Sequence, residues 1–320
     1  MYSGDVRIPR MELPRRKTGR VLDILALLPY ATADFVARWL PRRALHALAR
    51  TVARAAFALH VPARARLERN LARALRADTQ GTNGIAPESG GNETLRAVGQ
   101  AKPGAAAVRH AAREAFERFA LAFVEFLELA RLRPAALERA IVVEGEQHFR
   151  AARALGRGVI VLSMHSGNWE WGAAYLAARG LPVRVLARPH ANPSVESFFA
   201  RRRAAWGVSR LCGHPLWLAA SAALRRREWV AMMGDRHVPG ARGSVCAWAS
   251  ALARRTGAAV LPATMVRLPD GRYRASFEPL LMDRSSPERR YRATVLEQVR
   301  RAPEQWFAFE PVPDTLLEPA

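Results

Sequence analysis

His165, Ser166, Gly167, Asn168, Trp169 and Glu170 follow Gly158–Met164, a β-branched apolar run suited to a buried strand, and they precede a helical pattern. In open α/β sheets, ligands bind at the carboxyl ends of the strands. An imidazole at such an edge suits the removal of a proton from a hydroxyl attacking a thioester, because its unperturbed pKa lies near neutrality. A carboxylate must then hold the ring in one tautomer and balance the imidazolium, and Glu170 is the local candidate. Five residues of continuous helix would set the two side chains roughly 140° apart. The pair therefore requires His165 to lie in the turn before the helix and fold back over its first turn, and Ser166-Gly167-Asn168 is suitable turn and cap material. The same residues also read as an ordinary strand-end histidine and a first-turn acid favoured by the helix dipole.

The elements around this segment alternate. A helix over about Asn168 to Arg179, closed by Gly180, leads to a strand at Pro182–Arg188, which makes a βαβ unit. Helices near Ser194–Ala205 and Leu216–Arg227, a strand at Trp229–Gly234, a helix at Val245–Thr256 and a strand at Ala259–Val266 continue the pattern. Asp270-Gly271 then turns into Tyr273–Pro279 as a hairpin, followed by a helix near Glu288–Arg301 and a last short strand around Trp306–Phe309. The expected fold is α/β, a mostly parallel central sheet flanked by helices, with an N-terminal helical membrane-interface region. Three segments are expected: a basic helical region over residues 1–76, a disordered insertion over 77–104 and the α/β domain over 105–315. Asp78–Gly104 is poor in large apolar groups, so burial cannot offset its ordering entropy. Ala105–Arg131 reads as one long helix whose stripe of Phe116, Phe119, Phe123, Phe126 and Leu127 suits a core.

The chain has 320 residues, half of them apolar, and a net charge of +22 carried almost wholly by arginine, the only lysines being Lys17 and Lys102. Such an excess fits an anionic partner and also fits a bias in genome base composition. Cys212 and Cys246 have no paired spacing, which argues against a disulfide framework and a cysteine-rich zinc site. The most apolar stretch, Val21–Leu40, is broken by Asp23, Pro29, Asp34 and Arg38, so it suits an in-plane anchor better than a spanning helix. Over Val21–Leu75, Trp and Leu on one side and Arg on the other suit a membrane interface as well as an ordinary surface helix.

These residues resemble a family, the lipid A late acyltransferases, within the wider group of glycerolipid and lysophospholipid acyltransferases marked by His-x4-Asp/Glu. His165–Glu170 resembles the family's first block, and Arg188-Pro189 with Asn192-Pro193 resembles its Arg-Pro-x-x-Asn-Pro stretch. Gly234-Asp235-Arg236 with Gly243 and Thr256-Gly257-Ala258, the later Leu261-Pro262, and Pro303-Glu304-Gln305-Trp306 match further blocks, while Arg69-Asn70-Leu71 sits where the family carries Asn-Leu. The resemblance spans residues 20–311. It implies that His165 is the general base, that Glu170 orients it, and that no metal or bound organic cofactor takes part. The acyl chain would arrive as a thioester on acyl carrier protein or coenzyme A and leave on a lipid hydroxyl at the cytoplasmic face of the bacterial inner membrane, where the protein would be peripheral or monotopic on anionic lipids. Ser166, Gly167 and Asn168 would contact substrate, their backbone N–H groups serving an oxyanion. Arg188, Asp235 and Arg236 would line the same face, with Arg188 suited to a phosphate. A lipid A precursor, another phosphoglycolipid, an aminoacyl lipid or a lysophospholipid would serve as acceptor.

Two other readings compete. A nucleic-acid-binding protein fits the charge, but the arginines are spread along the chain and no recognised module appears, so no nucleic-acid partner is expected. A serine hydrolase lacks its Gly-x-Ser-x-Gly elbow. Hydrolysis of an acyl thioester by the same His–Glu pair remains open.

Overall fold

The structure, a computed structural model, describes residues 20–77, 104–213, 215–238, 243–281 and 287–317. The expected insertion falls almost wholly outside these residues. Three helices open the chain, α1 (Arg20–Trp39), α2 (Arg42–Leu59) and α3 (Val61–Arg76). They are followed by α4 (Ala105–Leu129), the short α5 (Pro134–Arg139), β1 (Ile141–Glu144) and α6 (Glu146–Ala154). The alternating part comprises β2 (Val159–Ser163), α7 (Trp169–Ala178), β3 (Val183–Val185), α8 (Pro193–Ala204), β4 (Ser209–Arg210), α9 (Leu216–Arg225) and β5 (Trp229–Met233). It continues through α10 (Val245–Thr256), β6 (Ala259–Arg267), β7 (Tyr273–Phe277) and α11 (Pro287–Arg301), and the chain closes through a 3-10 turn (Pro303–Gln305) and α12 (Asp314–Leu317).

The seven strands form one sheet in the order β1-β7-β6-β2-β5-β3-β4, parallel throughout except for the β6–β7 hairpin. The α/β class and the Asp270-Gly271 turn are therefore as the sequence predicts. The central strand β2 reads as a continuous apolar run because both its faces are covered. Ile160 and Leu162 pack toward α9, α10 and α11, and Val159 and Val161 pack toward α7 and the helices beside it. One expectation fails. Trp306–Phe309 is no strand but an extended strap that touches the turn after β2 through a single bridge, Ser166 to Trp306, because the edge it reaches is a turn and not a strand.

The N-terminal helices share these cores. Leu67, Leu71 and Ala74 of α3 are fully buried, and the Asn70 side chain donates to the carbonyls of Ala308 (2.8 Å) and Glu310 (2.9 Å) in the strap. Helix α4 carries the buried Glu125, whose carboxylate takes Arg267, Arg42 and the Tyr273 hydroxyl and so ties α4 to the sheet. It also grips the start of α7, accepting Asn168 Nδ2–H at the Ala122 carbonyl and Trp171 Nε1–H at the Glu125 carbonyl.

Candidate active site

Strands β2 and β5 are parallel neighbours with Ser163 opposite Met233. Two residues beyond that pair, His165 and Asp235 emerge side by side from the same edge of the sheet. His165 Nδ1 lies 2.8 Å from Asp235 Oδ1, and the His165 backbone N–H donates to Oδ2 at 3.2 Å. Trp306 Nε1–H and an Arg236 N–H also donate to Oδ2, at 3.0 and 3.3 Å. Complete burial alone would raise the pKa of Asp235. The charges of His165 and Arg236, with the hydrogen bonds from His165 and Trp306, outweigh that cost and hold the carboxyl far below the usual range. An ionised Asp235 accepts the Nδ1 proton and leaves Nε2 as the basic nitrogen of a ring that is still 23 % exposed.

This geometry corrects the expected pairing. Glu170, in the first turn of α7, points to α8, where Arg203 grips its carboxylate in bidentate fashion at 2.6 and 2.9 Å. A guanidinium fork in a half-dry site outcompetes a ring on the far side of the turn. His165 does lie in the turn before the helix, as the pairing needed, but its ring turns to the neighbouring strand.

The turn residues are structural as well. Ser166 is buried with its hydroxyl on the Met265 carbonyl, and its N–H bonds to Met164 O. Gly167 adopts φ +55°, and a Cβ there would lie 2.3 Å from the Met265 carbonyl oxygen, so only glycine fits. Its N–H is spent on Gln305 O. Asn168 caps α7 by accepting from Trp171 N. The backbone N–H groups of Ser166 and Gly167 are thus not free for an oxyanion, and Asp235, fully buried behind the imidazole, does not reach substrate. Arg236 is held between Asp235 and the Phe307 carbonyl (2.8 Å). Arg188 stands exposed at the rim, 3.6 Å from Glu310.

His165 opens on a cavity of about 940 Å³. Phe119, Trp169, Phe307 and Phe309 cluster near its mouth, with ring centroids 5.2–6.4 Å apart. Inward it runs beneath α7 along β2, β5, β6 and β7, where Gly172, Ala173, Ala231, Ala263 and Ala275 leave room that larger residues would fill. Phe123, Phe126, Leu176, Phe199 and Phe277 complete an apolar wall, and Tyr30 of α1 closes one side. Two further histidines, His237 and His190, also line the cavity, and His190 is engaged by Glu196 at 2.9 Å.

A dyad at the mouth of an apolar cavity is suited to acyl chemistry, and the family model for bacterial lipid A biosynthesis acyltransferases matches residues 103–312. The chain belongs to that family. It is an acyltransferase of lipid A biosynthesis type. The match covers the dyad, the strap and every residue of the cavity wall except Tyr30, while α1–α3 lie ahead of it. No curated protein matches the sequence. Arg203, Trp306, Tyr291 and Gln305 are site residues that the sequence did not single out one by one. Gln305 and Trp306 carried a signal, as the last two residues of Pro303-Glu304-Gln305-Trp306.

Proposed function

We propose that this acyltransferase moves a fatty acyl chain from an acyl thioester, on acyl carrier protein or coenzyme A, onto a hydroxyl of a membrane glycolipid such as a lipid A precursor. The observation that carries the reading is the His165–Asp235 dyad placed where a long apolar cavity opens. The cavity lies in the volume range of ligand pockets and takes the acyl chain, leaving the thioester carbonyl at His165. His165 Nε2 removes the proton of the acceptor hydroxyl as its oxygen attacks the carbonyl carbon. The tetrahedral intermediate collapses with cleavage of the C–S bond, and the departing thiolate takes the proton back from the imidazolium. Asp235 stays ionised and offsets the transient positive charge. Side-chain acid–base chemistry suffices, with the thioester as co-substrate and no metal or bound organic cofactor. Arg188 at the rim supplies a fork for a phosphate of the donor's pantetheine arm or of the acceptor.

On this reading the enzyme works at the cytoplasmic leaflet of the inner membrane, and α1 and α2 are its seat there. Phe35 and Trp39 are 62 % and 73 % exposed on the side of α1 opposite its buried Ala37, and Leu48, Val52 and Leu59 form an exposed strip on α2 beside the arginines of that helix. No described helix is long and apolar enough to cross a membrane. An in-plane seat on anionic lipid uses both features.

The test is incubation of the full chain with labelled acyl carrier protein, with and without a total lipid extract. Label should move to lipid, and His165→Ala should lower transfer by about 10²–10⁴-fold. Release of free fatty acid alone would establish hydrolysis instead, and equal transfer by the variant would remove His165 from the mechanism.

A further inference from the structure

We propose that Trp306 is a positioning residue of the dyad: its indole N–H pins the rear oxygen of the Asp235 carboxylate so that the front oxygen faces the imidazole. The inference rests on the reading of His165 as the base. Oδ1 of Asp235 takes His165 Nδ1–H, while Oδ2 collects the His165 backbone N–H at 3.2 Å, Trp306 Nε1–H at 3.0 Å and an Arg236 N–H at 3.3 Å. All three groups on Oδ2 are pure donors. A hydroxyl or amide in the place of the indole could reverse its role and accept from a protonated carboxyl. The indole cannot, so it keeps a proton off Oδ2, and with the Arg236 guanidinium beside it favouring the carboxylate, Oδ1 accepts from the Nδ1–H tautomer of His165.

Trp306 comes from a part of the chain far from both dyad members, and it is fully buried. Its strap is fixed on every side. Phe307 N–H donates to His165 O (2.8 Å), Gly167 N–H to Gln305 O (3.2 Å), and Gln305 exchanges two hydrogen bonds with the Arg267 backbone at 2.6 and 2.9 Å. From α3, Asn70 clamps the strap's next carbonyls. The C-terminal Pro-Glu-Gln-Trp segment thus delivers one donor to one carboxylate oxygen.

Other charged and titratable groups face the dyad. Arg236 and His237 follow Asp235 on its own loop, Tyr291 of α11 reaches Ser163 O behind it, and the Glu170–Arg203 and Arg188–Glu310 pairs line the cavity. None changes when the indole N–H alone is removed, so a change in pH response upon that removal reports on Trp306.

The experiment compares the wild-type chain with Trp306→Phe and with 3-benzothienylalanine at position 306, which keeps the bicyclic shape and lacks the N–H. The second variant answers the question if the first fails to fold. KM for the acyl donor should stay within about twofold while kcat falls about tenfold, as for loss of one hydrogen bond to a charged group. With a neutral donor withdrawn from the carboxylate, the acidic limb of the kcat/KM profile should move upward by roughly 0.3–1 pH unit. The downfield proton resonance of the His165–Asp235 hydrogen bond should shift, a readout that needs no substrate and stands even if no transfer is found. An unmoved limb and resonance in the two Trp306 variants would overturn the proposal.

Discussion

At the residue scale, the two carboxylates near His165 have different duties, and substitution should separate them. Asp235 is fully buried, ionised and 2.8 Å from the ring, whereas Glu170 is locked to Arg203. Asp235→Asn keeps the shape but replaces an anionic acceptor by an amide that can present its NH2 to the ring and trap the wrong tautomer. Transfer should fall about 10²–10⁴-fold. Glu170→Gln leaves the dyad intact and weakens the α7–α8 contact, so its loss should be within about tenfold and should show in stability. Single-turnover rates with the same acyl donor check the order, and a larger loss in Glu170→Gln would restore the local pairing.

At the element scale, α1 packs on the body through Leu27, Tyr30, Ala33 and Val36, and one carboxylate adds a charged clasp. Asp34 receives Arg38 from its own helix at 2.7 Å, Arg202 of α8 at 2.7 Å and Arg131, just beyond α4, at 3.2 Å. Burial alone would raise its pKa, but the hydrogen bonds from Arg202 and Arg38 prevail and lower it. A group depressed on folding lends stability that is complete above its unfolded pKa and lost as the pH falls through its folded value. The clasp should therefore hold at neutral pH, begin to lose its contribution as the pH falls below about 4, the ordinary carboxyl range, and open only at a pH lower still. Because Tyr30 on the same helix walls the cavity, opening exposes the acyl site. Limited proteolysis across a pH series should show cleavage in α1 on acidification, and Asp34→Asn should show it at neutral pH with a loss of about 1–3 kcal/mol. Equal protection of α1 in the variant would show that apolar packing alone retains it.

At the scale of the whole molecule, the proposed seat on anionic lipid rests on a net charge of +22 and on an exposed apolar strip on α1 and α2. Burying Phe35 and Trp39 in the interface contributes about 1.5–3 kcal/mol for each large side chain, and the arginines add attraction that salt screens within about 8 Å at physiological ionic strength. Vesicle sedimentation should show tighter binding to anionic than to zwitterionic bilayers, weakening with salt. Phe35→Ser with Trp39→Ser should loosen it at least tenfold. Binding that ignores both salt and the double substitution would place the contact elsewhere.

The amino-acid pattern alone carries the α/β class, five of the seven strands, the β6–β7 turn and the position of His165, because apolar period, β-branched runs and turn residues act over a few neighbours, whereas the short β1 and β4 left no such signal. Val159–Ser163 is legible as a doubly covered strand from its composition, and the turn after it from Ser166-Gly167-Asn168. The partner of His165 is another matter. Sequence proximity favours Glu170, five residues on, yet the ring meets Asp235, seventy residues away, because β2 and β5 pair in a register that sets Ser163 against Met233. Register between parallel strands is fixed by the packing of the whole sheet, and no local pattern encodes it. The same holds for Trp306: its segment is recognisable as a motif, but only the fold brings its indole to the rear oxygen of Asp235, since the strap is placed by α3 and the catalytic turn and not by any propensity of its own.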